Sequence, residues 1–225
     1  YGHGWILSDD KKMSKSIGNI LDPLEIIKKY GIDQVRYYLI KEVSLGNDGN
    51  VSINNLINCI NNDLANNFGN LCQRVFSFIE KNCAGKLPKS VKLQSVDLKL
   101  MNNLIKSIDQ LVIDMDNQDL NNYIKKVVKF SFDANKYFND LEPWSLKKTD
   151  TERMNTILYT IVHQIKNISI LLSPIIPISS HKILDIMNLN EKDRLLKSIN
   201  TKDNFDHNLE FKKISILFKK IENDS

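Results

Sequence analysis

Between residues 53 and 78 the apolar side chains Ile53, Ile57, Ile60, Leu64, Phe68, Leu71, Val75 and Phe78 recur at steps of three and four. That spacing lines one face of an α-helix. A strand would instead alternate at every second residue. So long a stripe must be buried against other helices, which commits the chain to helix-on-helix packing. With only 8 glycines and 5 prolines in 225 residues, the chain lacks the turns of a β-sandwich or propeller. A chain of this size buries about 70% of its unfolded surface, enough for one or two cores. No apolar run approaches the roughly 20 residues that span a bilayer. The segment 165–178 is interrupted by Lys166, Asn167, Ser173 and two prolines.

Other elements announce their ends. Residues 4–8 form a short apolar stretch that fits a strand, followed by the charged run Ser8-Asp9-Asp10-Lys11-Lys12 and a loop through Gly18 and Asn19. Asp22-Pro23-Leu24-Glu25 has the make-up of a helix start, with Asp as cap and Pro in the first turn. Leu24, Ile27 and Tyr30 share a face there, and Gly31 stops the helix. A second helix is expected over about 33–42 with Val35, Tyr38 and Leu39 inward. The turn cluster 46–50 separates this region from the rest, and Ser52 caps the long helix, which 84–88 breaks. Further helical patterns cover about 96–115, 120–138, 151–172 and 180–187, so the region from 52 onward reads as an antiparallel helix bundle.

Charge adds little. The net charge of +4 permits a polyanionic partner without demanding one. Lysine greatly outnumbers arginine, and asparagine and isoleucine are also abundant, a skew typical of AT-rich coding. Cys59, Cys72 and Cys83 have no C-x-x-C spacing and read as buried or half-buried thiols. His3, His163, His181 and His207 are too scattered for a zinc pattern, and no metal site is expected.

Chemistry concentrates in Lys12-Met13-Ser14-Lys15-Ser16. Two lysines three apart, with serines between and after, suit a triphosphate: ammonium groups balance its charge while hydroxyls and loop amides hydrogen-bond its oxygens. Taken alone, such a pair also fits a solvated surface loop. The longer string through Ile17-Gly18-Asn19, Asp22-Pro23, 30–33 and Arg36-Tyr37-Tyr38-Leu39 resembles the second signature of class I aminoacyl-tRNA synthetases. That resemblance implies a loop that closes over ATP with Mg²⁺ assisting, Lys15 as chief transition-state lysine and Lys12 assisting.

Gly46-x-Asp48-Gly49-x-Val51-Ser52, then Asn61-x-Asp63-Leu64-Ala65-Asn66-x-x-Gly69-Asn70-Leu71-x-x-Arg74, and the closing 216–222 are similar to the methionyl-tRNA synthetase family. On the residues alone, Asp63, Asn67, Asn70 and Arg74 make a polar stripe at steps of four, three and four. Such a stripe is either a solvated face or an RNA-reading one. Trp144, in Glu142-Pro143-Trp144 at an expected helix start after a turn, is either a core indole or an exposed platform for an unpaired base. The resemblance implies that Asn70, Arg74 and Trp144 read the CAU anticodon of tRNA(Met).

The expected class is therefore mainly α. A remnant of a Rossmann-type catalytic domain (1–51, the lysine loop and connecting helices) precedes the anticodon-binding helix bundle (52–225). The implied function is the C-terminal part of a methionine–tRNA ligase. Its substrates are methionine, ATP and tRNA(Met), it has no zinc and no membrane contact, and it is a cytoplasmic monomer. The family's His-x-Gly-His type motif and methionine pocket are not among these residues, and the chain opens at Tyr1, as a fragment would. Half a Rossmann-type sheet makes no nucleotide crevice, so residues 1–225 alone are expected neither to activate methionine nor to charge tRNA. Two rivals remain open: a stand-alone, non-catalytic tRNA-binding module derived from a synthetase, or a sister enzyme for isoleucine, valine, leucine or cysteine.

Overall fold

A computed structural model describes residues 4–88, 92–199 and 210–222. A small sheet stands at the N-terminal end. Strand β1 (Ile6–Ser8) turns through Asp9 and Asp10, both at positive φ, into β2 (Lys11–Lys12), making a two-residue hairpin. β1 then pairs in parallel with β3 (Gly49–Val51), in the register Ile6 to Gly49 and Ser8 to Val51. Between these parallel strands run α1 (Pro23–Tyr30) and α2 (Ile32–Glu42). Asp22 caps α1 by accepting from the Leu24 amide at 2.8 Å, and Gly31, at φ +96°, ends it in a conformation that a side chain resists.

The long helix opens where Ser52 accepts from the Asn55 amide, but it is not uniform. α3 (Ile53–Cys59) widens into a π-helical stretch, Ile60–Gly69, before α4 (Asn70–Asn82) resumes the ordinary pitch. The expected helix over 96–115 is two helices, α5 (Ser95–Ile105) and α6 (Ile108–Asp116). Ser107 breaks it, its hydroxyl bonding back to the Asn103 carbonyl at 2.8 Å. α7 (Leu120–Asp140), α8 (Thr151–Leu172) and α9 (Pro177–Ile186) complete the bundle. α9 starts three residues before Ser180 because Pro177 occupies its first turn.

α8 is the axis of the core. From Ile157 to Leu172 every residue is buried, with α4, α5, α7 and α9 packed around it. Even so, no helix among the described residues is long and apolar enough to cross a membrane. The segment 210–222 returns along the bundle as a strap. Phe211 meets the Phe76 ring edge-on at 5.2 Å, and Asn61 exchanges two hydrogen bonds with the Ile221 backbone, at 2.8 and 2.9 Å. Phe218 packs on Gly69, where a Cβ would stand 3.1 Å from the ring and 2.9 Å from the Leu64 carbonyl oxygen.

Two expected inward residues point elsewhere. Leu24, in the first turn of α1 and on the expected face of Ile27 and Tyr30, is 74% exposed. Leu39 is exposed, while its neighbour Tyr37 is fully buried.

Candidate functional site: a lysine loop and an anticodon cleft

The lysine loop hangs from the hairpin. Lys12 lies in β2 rather than in the loop proper, and its ammonium stands 4.0 Å above the centre of the Trp5 ring. Met13 turns inward to the wall of an apolar cavity of about 460 Å³ shared with Pro23, Tyr38 and Leu56. Ser14 organises the turn. Its amide donates to Asn19 Oδ1 at 2.9 Å, its hydroxyl lies 3.2 Å from that of Ser16, and its carbonyl accepts from the Gly18 amide. Lys15 and Ser16 are exposed at the tip. Asp10 and Asn50 exchange hydrogen bonds at 2.9 and 2.7 Å, tying the base of the loop to β3.

The bundle's polar stripe divides. Asp63 and Asn67 are buried: Asp63 Oδ2 accepts from Tyr37 at 2.8 Å and faces Lys41 Nζ at 2.7 Å, while Asn67 Nδ2 donates to Ser131 at 2.6 Å. Burial, then the Asp63 carboxylate, pushes the Tyr37 hydroxyl far above its ordinary range. Asn70 and Arg74 stay at the surface because the π-helical stretch changes the phase ahead of them.

Arg74 and Trp144, 70 residues apart in sequence, come together. The Arg74 guanidinium carbon lies 5.2 Å from the centre of the Phe138 ring and 5.7 Å from that of Trp144. Phe138, itself buried, meets Trp144 edge-on with centroids 5.7 Å apart. Pro143 is buried and anchors the turn, leaving Trp144 43% exposed; the residue stands in this turn, ahead of α8, rather than at a helix start. Ser77, Phe78, Lys81 and Asn82 complete a cleft of about 260 Å³. Asn70 lies one turn before Arg74 but lines a neighbouring recess with Gly69, Gln73 and Phe218. Sequence reasoning missed Phe138, Phe78 and Lys81. Only the closeness of Phe138 to the Pro143-Trp144 pair pointed to the first.

Elsewhere in the bundle, Asp97 on α5 accepts from both Arg153 guanidinium nitrogens, at 2.6 and 2.8 Å, and from Tyr137 at 2.6 Å. Burial alone would raise this carboxyl, but the Arg153, Tyr137 and Gln94 hydrogen bonds outweigh it and hold it below its usual range. The described residues contain no cluster of three or more His, Cys, Asp or Glu side chains able to hold a metal.

An exposed lysine loop on a parallel-stranded remnant, leading into a helix bundle with an aromatic–guanidinium cleft, defines a class I tRNA synthetase architecture. The family described as tRNA synthetases class I (M) matches residues 1–76. The anticodon binding domain of methionyl tRNA ligase matches residues 87–225, and the chain belongs to this methionyl family. The methionine–tRNA ligase of Rickettsia felis is 38% identical over 200 residues, 88% of this chain and 39% of that protein. That of Brucella suis is 40% identical over 187 residues, 83% of this chain and 36% of its own. The solved Mycobacterium tuberculosis methionyl-tRNA synthetase in complex with methionyl-adenylate superposes with a TM-score of 0.91 at 32% identity. It matches 96% of this chain and 43% of its own. The chain thus spans about two fifths of the length of the curated relatives it matches.

Proposed function

We propose that this chain supplies the lysine loop and the anticodon-reading bundle of a methionine–tRNA ligase. In that reaction the methionine carboxylate attacks ATP, entering as its Mg²⁺ complex, to give methionyl-adenylate and pyrophosphate. The methionyl group then passes to the terminal ribose of tRNA(Met). Lys15, exposed at the loop tip, and Lys12 place positive charge where the pyrophosphate leaves, the point at which fixed cations accelerate the step most. In a ligase carrying this segment, Lys15→Ala is expected to slow methionine-dependent ATP–pyrophosphate exchange about a hundredfold or more, with little effect on tRNA binding.

The observation that carries the reading is the meeting of Arg74 and Trp144 over Phe138. An exposed indole offers a stacking face, and the guanidinium and the Asn70 amide offer donors for base edges. We place the division between the two functions at 51/52, where β3 ends and Ser52 caps α3. A monomer working in the cytoplasm is the simplest setting for these parts.

The test is a fluorescence titration of Trp144, with Trp5 replaced by Phe, using anticodon stem-loops at fixed salt. Quenching is expected at lower concentrations of a CAU loop than of one altered at the first anticodon base. Equal binding to both would overturn the methionyl anticodon reading.

A further inference from the structure

The cleft lined by Arg74 and Trp144 encloses about 260 Å³, the scale of a single nucleobase, so the sugar and phosphate attached to a base held there must leave across the rim. One lysine lines the cleft, and a second follows Trp144 in the same turn. Lys81 is in the last turn of α4 and lines the cleft itself. Lys147 follows Trp144 in the turn between α7 and α8, close enough to the end of α4 to act on Cys83. Burial pushes that thiol up and the Lys147 ammonium partly offsets the rise.

These lysines differ from three on the flank of the bundle. On α7, Lys126 is held by Asp114 at 2.5 Å, Lys129 by Asp133 at 3.1 Å and Lys136 by Asp140 at 2.8 Å. Lys81 and Lys147 are exposed and make no ion pair among the described residues, although Glu80 and Glu142 are near in sequence. Three of the four α7 lysines before Asp140 are thus neutralised, Lys125 reaching only the Asn121 amide oxygen at 3.5 Å, whereas the lysine that lines the cleft is left open.

We propose that Lys81 and Lys147 form a clasp for the RNA phosphodiester backbone, gripping the strand on either side of the nucleotide whose base enters the cleft. The inference rests on the anticodon reading above but assigns a different task. The clasp reads no sequence, holds any single strand presented to the cleft, and leaves discrimination to the base-edge donors of Asn70 and Arg74.

The experiment measures dissociation constants of the chain for the CAU stem-loop and the altered one across a series of potassium chloride concentrations. It compares the unsubstituted protein with Lys81→Gln, Lys147→Gln, the double variant and Lys129→Gln as a control. Each clasp substitution is expected to weaken both RNAs by the same factor, about fivefold at low salt, and to flatten the log–log salt slope by about 0.7. The control, whose lysine is already paired, stays unchanged. Thermal melting monitored by circular dichroism checks that the variants remain folded. Unaltered affinity and slope in the double variant, or a loss confined to the CAU loop, would overturn the clasp. Equal affinity of the unsubstituted protein for both loops would instead overturn the anticodon reading, with the lysine slopes still deciding the clasp.

Discussion

Arg74 is held by two rings and exposed on a third side, so its guanidinium is oriented before any ligand arrives. Removing it with Arg74→Ala should cost about 1–3 kcal/mol against the CAU loop and leave the altered loop little changed. Trp144→Ala removes a stacking face, which every base can use. It should therefore weaken both loops by about 1–3 kcal/mol, and the difference between the two variants separates edge reading from stacking by titration alone. Thiol reactivity gives a check independent of RNA. Cys59, pushed up to about 12 chiefly by burial, and Cys72, also raised well above its ordinary value by burial, are shielded, whereas Cys83 is half-buried. A thiol-specific reagent should label Cys83 first in the native protein, with the other two following only on unfolding. The burial of the cysteines was legible in the sequence, and so was the surface position of Arg74. The inward turn of Asp63 and Asn67 was not. Their partners Tyr37, Ser131 and Asn135 lie 26, 64 and 68 residues away, and local spacing carries no trace of them.

Among the elements, α5 and α8 are joined by the Asp97–Arg153 pair, whose side chains are 0% and 10% exposed. Asp97→Asn would leave the guanidinium buried without a counter-charge, and a loss of about 3–5 kcal/mol is expected in denaturant unfolding. The folded carboxyl sits below its ordinary value of 3.8. Its contribution is therefore complete above that pH and disappears as the pH falls through the lower, folded-state value. The unsubstituted protein should lose stability on that acid limb, and the Asn variant should lack this component. Caps and stops made most elements legible. Asp22 with Pro23, Gly31 and Ser52 mark ends that the structure reproduces to within a residue or two. The split at Lys106–Ser107 was hidden because Leu100, Leu104, Ile108 and Leu111 keep helical spacing straight through it. The π-helical stretch was hidden for the same reason: steps of three and four do not reveal a local widening of the turn.

At the scale of the whole molecule, the strap 210–222 closes over the π-helical stretch at Gly69. Gly69→Ala would drive a methyl group against Phe218 and the Leu64 carbonyl. A destabilisation of about 1–3 kcal/mol is expected in thermal unfolding, together with loosening of the strap visible as faster proteolysis near Phe218. The mainly helical class followed from the long apolar stripe, whereas β3 was hidden inside the expected turn cluster at 46–50 because its parallel partner lies over forty residues earlier. The course of the strap did not follow either, since its contacts depend on a surface that exists only after the helices assemble. The widened stretch Ile60–Gly69 also sets the rotational phase of everything after it on that helix. Deleting or inserting one residue there would rotate α4 by about 100° about its axis and carry Arg74 away from Phe138 and Trp144. The segment behaves as a spacer of fixed length: point changes on its outer side are survivable, but a change in its residue count would dismantle the cleft while every helix stayed folded.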